Sequence, residues 1–140
     1  GDVASFPDEF GSPAGTLVRR HVEHWDNAIA QGKVAAANMA GTRMAYRRVP
    51  YFWSDLFDTT VNVVGYVDSA DDVIVRGPTE GRRFSVLYLR GGALRGALTV
   101  NNARDRRAAA ALVKLRTPIA DQRDHLADPA FKLATLVPAE

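Results

Sequence analysis

The 140-residue sequence contains no cysteine. Disulfide bonds, thiol redox chemistry, zinc fingers and Cys-ligated iron–sulfur clusters are therefore excluded within this chain. The absence of cysteine also fits a reducing compartment, and we expect a cytoplasmic location.

Long apolar runs and a recognisable targeting segment are missing as well. No stretch approaches the roughly 18 uninterrupted apolar residues that indicate a membrane span, so we expect no membrane partner. The N-terminus, Gly1–Pro7, has no basic region followed by an apolar core, and we therefore expect no signal peptide. It also lacks an initiator Met, which fits either a native start that has lost its Met or a fragment of a longer protein.

Charge is only slightly unbalanced. The formal net charge is +2 and the isoelectric point is about 9.2. Neighbouring arginines could attract an acidic partner, and they occur at Arg19–Arg20, Arg47–Arg48 and Arg82–Arg83. No stripe of basic residues alternates with aromatic residues in the way that nucleic-acid-binding proteins show, so we expect no nucleic-acid partner.

The first part of the chain predicts a loop, an ambiguous segment and one helix. Pro and Gly residues predict a loop over residues 6–15. Residues 17–25 fit either a short strand or the approach to a helix. From Asn27 onward apolar residues recur at helical spacing, Asp26 or Asn27 can cap the first turn, and Gly41 stands where a C-terminal capping glycine belongs.

The rest of the chain predicts an antiparallel sheet, a helix and a folded tail. Runs rich in β-branched and aromatic residues predict strands at Tyr51–Trp53, Thr59–Val67, Asp71–Arg76, Arg83–Leu89 and Leu94–Val100. Short turns between them, such as Gly91-Gly92, favour an antiparallel meander. Asn101 or Asn102 can cap a last helix that Pro118 stops, and residues 126–136 are expected to cover the sheet in short helical turns. The fold class is therefore α+β, an antiparallel sheet flanked by helices.

No self-contained catalytic set is present. His21 and His24 stand three residues apart, but no third ligand is suitably spaced, which favours surface histidines over a metal site. Ser54 lies in no Gly-x-Ser-x-Gly elbow, and the chain has no Gly-x-Gly-x-x-Gly nucleotide-binding motif. We therefore expect no catalytic residue and no metal.

Three segments together carry a family resemblance. Gly1-Asp2 resembles the Gly-Asp element that ends an FAD-binding stretch in pyridine-nucleotide-dependent flavoproteins. Trp25–Gly32 resembles the helix that points its N-terminus at the flavin ring in that superfamily. Pro50–Asp55 closely resembles the Pro-x-Phe-Trp-Ser-Asp signature of the oxygenase-coupled ferredoxin reductases, and later segments match the same group in order: Val75–Gly77, Phe84–Leu89, Val100-Asn101, Pro118-Ile119 and Leu126–Pro129.

The resemblance implies a fold, a reaction and two partners. Residues 1–45 would be the end of an FAD-binding domain, and residues 46–140 would be the C-terminal interface domain of a glutathione-reductase-like flavoprotein. The whole enzyme would pass electrons from NAD(P)H through FAD to a [2Fe–2S] ferredoxin. Because no nucleotide-binding motif is present, we expect the chain alone to bind FAD weakly or not at all and to be inactive.

The resemblance also implies roles for individual residues. Asp2 would hold the ribityl chain of FAD, and the backbone around Trp25 would hydrogen-bond the isoalloxazine edge. Trp53 would lie near the flavin, at the surface where the ferredoxin docks. Lys33 falls where the family has a basic residue facing the acidic ferredoxin. Leu56 departs from the family, which often has Gln after the Ser-Asp pair.

Two alternatives remain open. The chain could be a non-catalytic module whose sheet serves for homodimerisation or partner docking. It could also be part of a flavoprotein related to NADH oxidase or apoptosis-inducing factor, because these proteins share the Phe-Trp-Ser-Asp neighbourhood.

Overall fold

The computed structural model describes residues 1–12, 16–69 and 71–138, so Pro13–Gly15 of the predicted loop lie outside the described residues. In chain order the main elements are β1 (Phe6–Asp8), β2 (Val18–Arg20), α1 (Trp25–Met39), β3 (Tyr51–Leu56), β4 (Thr59–Gly65), β5 (Asp72–Arg76), β6 (Phe84–Arg90), β7 (Ala93–Val100), α2 (Ala103–Leu115) and α3 (Arg123–Ala127). Single 3-10 turns cover Ala120–Gln122 and Leu133–Leu136. The predicted α+β class is confirmed.

A small antiparallel ribbon of β1 and β2 stands where a loop was predicted for residues 6–8. The loop prediction there is wrong, because Phe6 is buried and its ring meets Tyr46 edge-on at 5.1 Å between centroids. Pro7 is tolerated because a two-stranded ribbon consists of edge strands. The ambiguous segment that follows contains both alternatives, a strand to Arg20 and a helix that begins at Trp25.

Helix α1 ends as the sequence predicts. Gly41 has a φ of +93°, a left-handed conformation that favours glycine. The amide of Gly41 donates to the carbonyl of Asn38 at 3.1 Å, and the amide of Thr42 donates to that of Ala37 at 2.9 Å. These two hydrogen bonds form the Schellman arrangement that satisfies the last carbonyls of a helix, so the C-terminal capping role of Gly41 is confirmed.

The five-stranded sheet is antiparallel throughout, but its strand order is β3-β4-β7-β6-β5. The predicted meander is therefore wrong, because β4 pairs with β7, whereas β5, the next strand along the chain, lies at the far edge, as in a Greek key. Ion pairs hold Asp71, the residue before β5. The buried carboxylate of Asp71 contacts the Nε of Arg90 at 2.6 Å and the Nη1 of Arg95 at 3.2 Å.

The core lies between one face of the sheet and α2 with the tail. The side-chain oxygen of Asn102 caps α2 by accepting the amide of Asp105 at 3.3 Å, which confirms one of the two predicted caps. The tail prediction is also confirmed, because Leu126 and Leu133 are buried in the same cluster as the sheet residues. None of the helices among the described residues combines the length and apolar character that crossing a membrane requires.

A buried ion pair joins the sheet, α2 and the tail. The Nε of Arg76 donates to the Oδ2 of Asp105 at 2.7 Å, and both side chains are 1% exposed. The same guanidinium donates to tail carbonyls, at 3.2 Å to Leu126 and also to Asp128 and Phe131. Because every donor of the group has a nearby acceptor, the charge can be buried and at the same time hold the tail in place.

Candidate functional site

Two tryptophans far apart in sequence lie in contact. Trp25 is the first residue of α1, and Trp53 lies in the middle of the edge strand β3. Their ring centroids are 5.5 Å apart with planes inclined by 81°, an edge-to-face geometry. Trp25 remains 69% exposed. Two of the residues predicted for one site are therefore brought together.

The edge strand orients the indole of Trp53. Successive side chains of a strand alternate between faces, so Tyr51 and Trp53 share one side of β3. Their rings stack at 5.5 Å between centroids, with planes 16° apart. The hydroxyl of Tyr51 donates to the Oδ1 of Asn62 at 2.6 Å, and the guanidinium of Arg106 lies 5.3 Å from its ring centroid. Trp53 thus rests on a ring that is itself fixed from both the sheet and α2.

The N-terminus of α1 has no side-chain cap. The N-cap position belongs to His24, which makes no capping hydrogen bond, so the predicted capping by Asp26 or Asn27 is wrong. The physical reason is that both side chains have other partners. Asn27 donates to the carbonyl of Val22 at 2.7 Å, and Asp26 accepts from Arg48 at 2.8 Å. The first intrahelical bond begins at the amide of Ala28, which leaves the first-turn amides available to an external acceptor beside Trp25.

The N-terminal segment lies along the start of α1. A Cβ atom added to Gly1 would lie 3.3 Å from the Cβ of Ala28, so the glycine permits a close approach. The backbone nitrogen of Gly1 donates to the Oε1 of Gln31 at 2.7 Å, and the carbonyl of Gly1 accepts the amide of Ala4 at 2.9 Å. This packing holds Asp2 next to the first turns of the helix, with an exposed side chain.

Lys33 is an exposed residue of the same helix. It follows Trp25 by eight residues, which corresponds to about 12 Å along the helix axis. The structure therefore places an exposed cation on the helix that begins at the aromatic pair, and its docking role remains a prediction.

The three histidines lie in three different environments. His24 packs against Phe52 at 5.1 Å between ring centroids, and His125 stacks on Phe131 at 4.8 Å. His21 is exposed and lies outside any helix. Across residues 1–12, 16–69 and 71–138, no three His, Cys, Asp or Glu side chains are grouped so that they could hold a metal ion.

A second cluster, around Tyr66, was missed by sequence reasoning. The guanidinium of Arg20 lies 4.6 Å from the ring centroid of Tyr66 and contacts the carboxylate of Asp8 at 3.0 Å. Burial raises the pKa of the Tyr66 hydroxyl, and neighbouring Asp8 raises it further. The cluster ties the β1–β2 ribbon to the large sheet. Asp8, Arg20 and Tyr66 are separated by 12 and 46 residues, so no local sequence motif predicts the cluster.

One cavity lies away from the predicted site. It measures about 420 Å³ and is lined by Phe10, Leu94, Val113 and Arg116, together with other residues of the ribbon and the β6–β7 hairpin. Neither tryptophan lines it. The candidate site, formed by the start of α1, the Trp25–Trp53 pair and Gly1-Asp2, is therefore an exposed wall.

Comparison with known proteins defines the family to which this chain belongs. The chain belongs to the Reductase C-terminal family, which matches residues 51–137. It is 34% identical over 134 residues to rhodocoxin reductase of Rhodococcus erythropolis, covering 96% of this chain and 30% of that protein. It is 36% identical over 140 residues to the 5,5'-dehydrodivanillate O-demethylase ferredoxin reductase subunit of Sphingobium sp. (strain NBRC 103272 / SYK-6), covering all of this chain and 32% of that subunit.

A solved structure has the same fold. The covalent putidaredoxin reductase–putidaredoxin complex contains a chain that superposes with a TM-score of 0.84 at 27% identity, over 97% of this chain and 31% of that one. The expected family is confirmed by these matches. The chain spans about a third of the length of the proteins it resembles.

Proposed function

We propose that this chain is the C-terminal part of an FAD-dependent NAD(P)H:ferredoxin reductase of an oxygenase system. The proposal is supported by the family match and by relatives named as reductases of such systems. One observation carries it furthest, namely the uncapped N-terminus of α1 next to the Trp25–Trp53 pair.

The wall fits an isoalloxazine ring. Free first-turn amides and the positive end of the helix dipole suit an electron-rich ring edge. The partly exposed indole of Trp25 and the fixed indole of Trp53 offer flat apolar surface beside those amides. FAD, when bound, supplies the chemistry of accepting a hydride and releasing electrons singly.

The residues of this chain would bind FAD, position its ring and attract the ferredoxin. Asp2 accepts hydrogen bonds from ribityl hydroxyls, because an exposed carboxylate held beside the helix start is a strong acceptor. The first-turn amides around Trp25 orient the ring edge, and Trp53 excludes water from one side of it. Lys33 attracts the acidic surface of a [2Fe–2S] ferredoxin toward this region.

The wall is incomplete without further protein. Residues 1–45 supply its helix and Gly-Asp element as the end of an FAD-binding domain, and residues 46–140 supply the sheet as the interface domain. The adenosine and nicotinamide sites belong to the remaining two thirds of the reductase. A cytoplasmic location fits a reductant such as NAD(P)H.

The test compares the full-length protein with this chain alone. The purified full-length protein is expected to show stoichiometric flavin absorbance and to reduce a [2Fe–2S] ferredoxin with NADH or NADPH. The 140-residue chain is expected to show neither property. A full-length protein without flavin bands would overturn the proposal, and so would stoichiometric flavin on the short chain.

A further inference from the structure

The hairpin tip, residues 56–59 between β3 and β4, exposes a large aromatic side chain completely. Phe57 is fully exposed, and Leu56 beside it is 60% exposed. Phe57 also has a φ of +56°, a left-handed conformation that is a true outlier for a bulky residue. Such strain persists only where surrounding structure imposes it, and it is concentrated at binding and switch sites.

The surrounding structure does impose it. The side chain of Asn101, at the end of β7, donates to the carbonyl of Asp58 at 3.3 Å and accepts the amide of Thr60 at 2.8 Å. It also donates to the carbonyl of Arg82 at 2.9 Å, and the guanidinium of Arg82 pairs with the carboxylate of Asp58. The tip is therefore held from two neighbouring segments, and Phe57 is presented outward on a fixed base.

We propose that Phe57, with Leu56, is an anchor that inserts into an apolar pocket on the remaining part of the same flavoprotein. The inference rests on the proposed function, because it requires that further part. The two reductase relatives named above are about three times as long as this chain. A full-length protein of that size would have the additional surface into which Phe57 could insert.

The size of the anchor favours an intramolecular contact. Burying a phenylalanine side chain removes roughly 150–250 Å² from water. An interface between separate proteins typically buries about 800 Å² on each side. A contact of one or two side chains is too small to hold separate molecules, but it suffices when a covalent connection keeps the pocket at high effective concentration.

The charges around the tip partly cancel. Asp58 pairs with Arg82, whereas Asp55 has no ion-pair partner among the residues that the structure describes. Two copies of the tip would bring their Asp55 side chains together, and this like charge disfavours self-association here. The tip also lies four residues from Trp53, which is about 13 Å along a strand.

The test measures deuterium exchange at the amides of residues 55–60, in the full-length protein and in this chain alone. We expect at least tenfold slower exchange in the full-length protein. Phe57→Ser should abolish that protection and lower the thermal midpoint of the full-length protein by several degrees, while leaving the midpoint of the short chain unchanged. Leu115→Ser, at an apolar residue 51% exposed at the end of α2, is the matched control and should leave the protection of the tip unchanged.

Three results would overturn the proposal. Equal exchange in the two proteins would show that nothing covers the tip. A Phe57→Ser effect confined to the KM for ferredoxin would assign the tip to the external carrier, and an effect confined to concentration-dependent self-association would assign it to a second copy. Flavin absorbance of the same samples tests the proposed function separately, because exchange protection is measured whether or not flavin is present.

Discussion

Trp25 meets Trp53 edge to face, and this contact joins the first residue of α1 to the middle of the edge strand of the sheet. On the opposite side of that strand, Phe52 packs against His24, so residues at the start of α1 contact both sides of the strand. The helix N-terminus is therefore held in one position relative to the sheet. This junction brings separate segments of the chain together in the wall that we propose to face the flavin.

The Trp25–Trp53 pair should contribute measurable coupling energy. Aromatic pairs of this geometry contribute about 0.5–1.5 kcal/mol beyond the area that they bury. We expect a double-mutant cycle with Trp25→Ala and Trp53→Ala to give a coupling energy in that range by urea unfolding of the 140-residue chain. Strictly additive effects would show that the two rings do not interact in solution.

The buried Arg76–Asp105 pair should dominate the stability of the tail. Arg76→Met leaves a buried carboxylate without its counter-charge and frees the tail carbonyls, and such a loss costs about 3–5 kcal/mol. Arg123→Met is the matched control, because the Arg123–Asp72 pair is 56% exposed on both sides and such pairs contribute about 0–1 kcal/mol. Urea unfolding followed by circular dichroism measures both. Equal losses in the two variants would contradict the role assigned to Arg76.

Stability should fall at alkaline pH because of Tyr66. Burial raises the pKa of its hydroxyl in the folded protein, whereas in the unfolded chain the hydroxyl ionises near pH ~10. The stabilisation is therefore complete below pH ~10 and is lost as the pH rises above it, because only the unfolded state releases the proton. The slope of unfolding free energy against pH above 10 should be shallower in Tyr66→Phe. An unchanged slope would assign the alkaline loss to other groups.

Lys33 should affect the encounter with ferredoxin in the full-length reductase. Lys33→Glu is expected to raise the KM for an acidic [2Fe–2S] ferredoxin severalfold at low ionic strength, with the difference shrinking as salt screens the charges. Lys114→Glu, the same change at an exposed position on α2, is the control and should have a smaller effect. If the two variants behave alike, net charge alone explains the result and Lys33 has no docking role.

Local patterns predicted the elements well, and particular residues show why. Gly41 needs a left-handed conformation, and Asn102 offers an acceptor one position before a helix, so both ends could be located from residue type alone. Periodic apolar residues likewise located the strands and the covering tail. These features depend on neighbours within a few positions.

The predictions that were wrong, and the contacts that were missed, involve residues far apart in the sequence. The pairing of β4 with β7 depends on which strand faces pack together. The spacing of the apolar segments along the sequence does not predict that pairing. The side chains of Asp26 and Asn27 do not cap the helix because they hydrogen-bond elsewhere. Asp26 accepts from Arg48, and Asn27 accepts from Tyr46 and donates to the carbonyl of Val22. Arg76 and Asp105 lie 29 residues apart, and their pairing followed from no motif. Only the family resemblance assigned Trp25 and Trp53 to one flavin site, and no sequence pattern predicted that their rings touch.

Fluorescence reconstitution tests the central claim most directly. FAD is added to the flavin-free full-length protein and to its Trp25→Phe and Trp53→Phe variants, and the emission that each tryptophan contributes is obtained by difference. A flavin lying against this wall should quench the contributions of both Trp25 and Trp53 as it binds. If FAD binds stoichiometrically and both contributions keep their full intensity, the wall does not face the flavin and the account is wrong.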